Sequence, residues 1–239
     1  MRLDKAVALA GLTRSQAKEA IRRGRVTVNG KAVTDGAQKI ESGDRVALDG
    51  DTVSLAAHHH FMLNKPAGVL TATRDEHGER TILNLLPENL RFRDLGPVGR
   101  LDKDVTGLVI LTDDGELAHR LISPRRGIEK QYLARTEGKL TDADVRAFEN
   151  GIELKDFTAR PAHLEILEAG EEASLCRVTV SEGKFHQVKR MLGARQLPVL
   201  TLHRLRIGGL WLDESLAPGE YRTVSAEEIR SVLDENLSK

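Results

Sequence analysis

The stretch Gly99-Arg100-Leu101-Asp102-Lys103-Asp104-Val105-Thr106-Gly107-Leu108-Val109-Ile110-Leu111-Thr112-Asp113-Asp114-Gly115 decides how this chain is read. A glycine-bounded polar loop feeds an apolar run, which ends in an Asp-Asp-Gly turn. Val105 to Thr112 is therefore predicted as an inner strand. Leu117, Ala118, Leu121 and Ile122 then space out one apolar face of a short helix that Pro124 ends. A carboxylate on a loop anchored by a rigid strand is well placed for chemistry, which singles out Asp102. A calcium loop is the rival, since Asp102, Asp104, Gly107 and Asp113 fall at positions 1, 3, 6 and 12 of that template. It fits poorly: Thr106 stands where Asp or Asn is usual, Asp113 is shorter than the expected Glu, and Gly96-Pro97-Val98-Gly99 leads in without a helix. A plain charged turn before a strand is the other reading.

Upstream, Phe61-Met62-Leu63-Asn64-Lys65-Pro66-Ala67-Gly68-Val69 begins as a strand and breaks at Pro66 and Gly68. Downstream, Cys176 to Val180 alternates like a second inner strand. Ser225-Ala226-Glu227-Glu228 to Leu233 reads as a capped terminal helix. At the other end of the chain, Leu3, Val7 and Ala10 recur at helical spacing with Gly11 as a stop. Thr13 or Ser15 can cap a second helix running through Ala17, Ala20 and Ile21 to Gly24. Val26-Thr27-Val28, Asn29-Gly30 and Lys31-Ala32-Val33 make a hairpin around a type I′ turn. Arg14, Lys18 and Arg22 share one face of the second helix, with Arg23 and Arg25 at its end. Residues 51–60 read as a connection. Adjacent His58, His59 and His60 do not converge on one ion, so no metal is expected.

With 239 residues the chain is long enough for one large and one small domain. No apolar run approaches the ~18 residues of a membrane span, and the N-terminus carries Arg2 and Asp4 without a long apolar stretch behind them. A single cysteine, Cys176, offers neither a disulfide nor a Cys-pair metal site, and its alternating context favours a packed thiol over a nucleophile. The expectation is a soluble cytoplasmic protein, with monomer as the default. Formal net charge is zero, but bases cluster. Leu12 to Arg25 holds five against Glu19 alone, and Arg177 to Arg206 holds seven against Glu182 alone. Two basic faces on a neutral protein suit a polyanion bound at chosen surfaces.

The leading stretch, Met1-Arg2-Leu3-Asp4-Lys5 through Ile21-Arg22-Arg23-Gly24-Arg25-Val26-Thr27-Val28-Asn29-Gly30, resembles the RNA-binding module named after ribosomal protein S4. Gly-Arg-Leu-Asp at 99–102, Thr-Gly-Leu at 106–108 and Thr-Asp-Asp-Gly at 112–115 resemble the signature of pseudouridine synthases that modify ribosomal RNA. Further matches follow in order at Phe61 to Pro66, Ser123-Pro124-Arg125, Glu129 to Leu133, Ser181 to Met191 and Leu202 to Gly209. The resemblance spans nearly the whole chain and is nearest the RsuA subfamily, the small-subunit rRNA enzymes. It implies an α+β architecture. Residues 1–57 would form a small α/β S4-like domain, and 61–239 a catalytic domain on a mostly antiparallel, mixed sheet. It also implies conversion of one uridine of 16S rRNA, uridine 516, without a cofactor.

That reaction breaks the bond from ribose C1′ to uracil N1, rotates the base and joins C1′ to C5. It needs a carboxylate, which by resemblance is Asp102. A carboxylate in a pocket needs a cation to stay ionised and oriented. Lys189 is the candidate, where many relatives carry arginine, and Arg190 is its neighbouring rival. The resemblance gives Tyr132 the tasks of stacking on uracil and assisting removal of the C5 proton. It gives Arg100 the space left by the extruded nucleotide. Extrusion costs roughly a few kcal/mol, to be offset by phosphate contacts from Arg190, Arg14, Lys18, Arg22, Arg23 and Arg25. With aromatics at 3%, stacking platforms are scarce and RNA shape should dominate recognition. The rivals are a synthase for 23S rRNA or tRNA, and a non-catalytic ribosome-assembly factor.

Overall fold

The computed structural model describes residues 1–10, 12–41, 43–53 and 58–233, so the helix stop assigned to Gly11 lies outside the described residues. Its contacts divide the chain into two units, Met1–His59 with Pro87–Asp94, and His60–Leu86 with Leu95–Lys239.

In the first unit, helices α1 (Leu3–Ala8) and α2 (Arg14–Arg22) precede strands β1 (Val26–Val28), β2 (Lys31–Ala32), β3 (Val46–Leu48) and β4 (Asp51–Thr52). Thr13 starts α2 with a capping box: its hydroxyl accepts from the Gln16 amide, and the Gln16 side chain accepts from the Thr13 amide. The expected hairpin forms with Val28 opposite Lys31, and Asn29 and Gly30 hold φ of 53° and 79°, as a type I′ turn requires. A second hairpin pairs Ala47 with Thr52 around Asp49-Gly50, so residues 51 and 52 are an edge strand and not part of a connection. Leu3, Val7, Ala17, Ile21, Val26 and Val46 pack into this unit's core.

The second unit is built on a nine-stranded sheet. Its strands and helices are β5 (His60–Lys65), β6 (Gly96–Pro97), β7 (Thr106–Thr112), α3 (Gly115–Ile122), β8 (Lys130–Glu137), α4 (Asp142–Asn150), β9 (His163–Ala169), β10 (Ala173–Val180), α5 (Gln187–Ala194), β11 (Val199–Ile207), β12 (Leu210–Trp211), β13 (Tyr221–Thr223) and α6 (Ala226–Ser231). The main order is β13-β5-β7-β11-β8-β10-β9, and β7 with β11 is its one parallel pair among the described residues. The α+β reading with a mostly antiparallel sheet holds. Both strands expected to be inner, β7 and β10, have neighbours on either side.

Leu108, Ile110, Met62, Leu117, Leu121 and Ile229 form one core cluster that fastens β5 and β7 to α3 and α6. Each such side chain contributes roughly 1.5–3 kcal/mol by burial. Ile122, expected on the apolar face of α3, is instead half exposed at its end. Cys176 is fully buried, and burial pushes its thiol up to about 11, as suits a packed group. No helix among the described residues is long and apolar enough to cross a membrane.

Candidate active site

Asp102 sits on the turn that delivers the chain into β7. The Val105 amide donates back to the Asp102 carbonyl at 3.1 Å, closing the turn. Two buried side chains fasten it from β5 and the segment after it. Thr71 donates its hydroxyl to the Leu101 carbonyl at 2.7 Å and accepts from the Leu101 amide at 3.2 Å. Lys65, fully buried, donates to the carbonyls of Pro66, Lys103 and Val105 at 3.1, 3.1 and 2.8 Å. One ammonium thus satisfies carbonyls on both sides of Asp104. Lys65 belongs to the Phe61 to Pro66 motif, yet its part in the site was not foreseen. A lysine ending a run of buried strand residues was the available signal.

Burial pushes the Lys65 ammonium down to about 8, against the pull of Asp104 and Asp102. Its folded value lies below the unfolded one, near 10.4, so the folded state binds this proton less tightly. The resulting penalty is complete below pH ~8 and lifts as pH rises from about 8 to 10.4. Lys65→Met should cost about 2–4 kcal/mol, because three carbonyls lose a charged donor. Urea denaturation at a series of pH values should show the wild type gaining stability over the variant within that alkaline window.

The Asp102 carboxylate is about a quarter exposed and has two basic neighbours. His186 Nε2 lies 3.2 Å from one oxygen and Lys189 Nζ lies 3.4 Å from the other. Lys189 approaches Asp104 more closely, donating to its two oxygens at 2.7 and 2.8 Å, and holds that carboxyl below the usual range. Arg190 does not reach Asp102; it pairs with Asp156, and its guanidinium lies 5.0 Å from the Phe157 ring centre. His186 falls within the Ser181 to Met191 motif, where sequence alone assigns it no role of its own. It stands before α5 with φ of 51°, a left-handed backbone that is rare outside glycine and that sequence does not announce.

Tyr132, on β8, is paired in register with Val178 and Arg204. It lines a small hollow of about 60 Å³ beside Asp102, with Val180, Leu202 and Lys189. A larger groove of about 890 Å³ also has Asp102 in its lining, with Arg74, Arg100, Lys103, Ile122, Lys184 and Phe185 among others. Arg100 lines both hollows, so Asp102, Tyr132, Lys189 and Arg100 share one place in this unit.

In the first unit the five bases divide. Arg22 and Arg23 both pair with Glu19, and Arg25 pairs with Asp49. Arg14 and Lys18 have no such partner among the described residues and line a groove of about 450 Å³ with Arg2 and Lys5. The double change Arg14→Ala with Lys18→Ala should therefore weaken RNA binding about tenfold and lower the slope of log affinity against log salt by about 2. Filter binding across a KCl series measures both quantities. Arg25→Ala should do much less.

Residues 59–194 match the family described as RNA pseudouridylate synthase, and residues 1–46 match the S4 domain. The chain belongs to the RNA pseudouridine synthase family, with an S4 domain at its N-terminus. Among its relatives is the ribosomal small subunit pseudouridine synthase A of Escherichia coli (strain K12), 45% identical over 240 residues that cover 98% of this chain and 100% of the relative. An RNA pseudouridine synthase of Bacillus subtilis (strain 168), described as uncharacterized, is 37% identical over 96% of this chain and 97% of its own length. A crystal structure of a pseudouridylate synthase superposes with a TM-score of 0.68 at 40% identity, covering 97% of this chain and 99% of the other.

Proposed function

We propose that this enzyme converts one uridine of small-subunit ribosomal RNA, uridine 516 of 16S rRNA, to pseudouridine with Asp102 as the catalytic carboxylate. The observation that carries the reading is the Asp102 carboxylate itself. It is fixed on a clamped turn, has Lys189 and His186 beside it, and faces a groove lined with basic side chains. The small-subunit target is supported by identity along the whole length of the Escherichia coli relative.

Asp102 attacks C1′ or the uracil ring, or removes a sugar proton, and each of these routes needs the ionised form. Lys189 places its positive charge 3.4 Å from the Asp102 carboxylate and shares that charge with Asp104. The N1–C1′ bond breaks, the base turns, C5 bonds to C1′, and the C5 proton leaves while N1 gains one, so atoms balance without redox chemistry or a cofactor. Tyr132 supports the uracil face and assists loss of the C5 proton. Arg100, exposed at the groove, takes the position vacated in the RNA by the extruded nucleotide. Residues 1–57 hold structured RNA by its phosphates, and 61–239 carry the chemistry.

The test is to map pseudouridine by carbodiimide modification and primer extension. The substrates are 16S rRNA, small-subunit assembly intermediates, 23S rRNA and tRNA, each treated with the protein. One new stop at uridine 516 is expected, strongest on one of the two small-subunit forms. Conversion confined to 23S rRNA or tRNA would overturn the target.

A further inference from the structure

Phe185 is the most exposed large apolar side chain among the described residues, at 74%, and it lies in a groove that it lines together with Arg74, Arg100, Lys103 and Lys184 and with apolar Leu70, Pro97 and Ile122. The segment that presents it is firmly built. Buried Glu182 accepts from the Arg160 amide at 2.9 Å and from the Gln187 side chain at 2.8 Å, and Gln187 in turn accepts from the Lys184 amide at 3.0 Å. His186, held left-handed, stacks under the Phe185 ring with centroids 3.7 Å apart and planes 20° from parallel. One face of Phe185 is thus covered by the imidazole that contacts Asp102.

An exposed aromatic ring on a fixed turn beside a carboxylate site, among cations, is suited to a planar partner that carries negative charge alongside its rings. Arg74, Arg100 and Lys184 line the same groove, and among the described residues Asp102 is its one acidic lining residue. We infer that Phe185 is a stacking platform for a nucleobase adjoining the target uridine, holding the strand beside the site while the uridine itself turns toward Asp102 and Tyr132. The inference rests on the reading of this site as acting on a uridine in RNA. It makes Phe185 a positioning residue for the substrate strand, an exception to the dominance of RNA shape that the low aromatic content suggests.

The experiment uses the full chain and a fragment of small-subunit rRNA containing the mapped uridine, with 2-aminopurine placed in turn at each flanking nucleotide. Wild-type protein should quench one of these positions, and Phe185→Ala should restore its emission. Phe185→Ala and Phe185→Leu should each raise KM roughly five- to a hundredfold with kcat within about twofold, whereas Phe185→Tyr should match the wild type. Equal KM in wild type and Phe185→Ala with unchanged quenching would overturn the inference while leaving the site's reading intact. Recovery by leucine as complete as by tyrosine would also overturn it, since apolar contact alone would then suffice. If the wild type converts no uridine, the site's reading fails, and the quenching pattern still decides whether Phe185 stacks on a base.

Discussion

Asp102→Asn is expected to lower single-turnover conversion by at least about 10⁴-fold, the scale on which loss of a reacting carboxylate acts, while RNA affinity stays within about twofold. The change is nearly isosteric. The clamps on the turn, Lys65 on three carbonyls and Thr71 on both polar atoms of the Leu101 backbone, do not involve the Asp102 side chain. Asparagine should therefore occupy the same position without charge, with Lys189 still paired to Asp104. Quench-flow with labelled rRNA and a parallel binding titration separate the two effects. A variant that lost affinity and rate together would place Asp102 in binding and not in chemistry.

Gly107→Ala is the second large effect, expected in stability. Gly107 is the second residue of β7, where the strand runs parallel to β11, at φ of 102°, and an added Cβ would lie 2.3 Å from the Arg204 carbonyl oxygen and 2.6 Å from its amide nitrogen. The neighbour is backbone, so no rotamer change relieves the clash. Left-handed strain and overpacking together should cost roughly 3–5 kcal/mol, lowering Tm by about 10 °C or more. Gly115→Ala is the control from the same stretch: it stands at the start of α3 with open space around it and no positive φ. Its Tm should be unchanged or slightly raised. Equal melting of the two variants would show that β7 and β11 separate readily there.

Part of this was legible from residue types alone. Asn29-Gly30 between alternating residues could hardly be anything but a hairpin, and the run from Thr106 to Thr112 between polar turns reads as a buried strand. Asp49-Gly50 carries the same turn chemistry but went unread, because its return strand is two polar residues without alternation. Lys65 shows the limit from another side. Lysine is seldom buried, and the carbonyls it satisfies come from residues as far as 40 positions away, which only the fold brings together. Lys189 and Arg190 are adjacent on one helix and therefore point about 100° apart. The sequence left both open as partners of Asp102, and the position of Asp156 separates them. In α2, Glu19 at i−3 and i−4 from Arg22 and Arg23 was readable as a neutralising partner, whereas Asp49 for Arg25 was not.

The most direct measurement is tritium release from C5-labelled uridine in small-subunit rRNA, comparing the wild-type chain with Asp102→Asn after both have been treated with chelator. Release by the wild type alone, at most one equivalent per RNA, is the predicted result. Release by Asp102→Asn at the wild-type rate, or none from the wild type on naked RNA and assembling subunits alike, would contradict a cofactor-free isomerisation carried by Asp102.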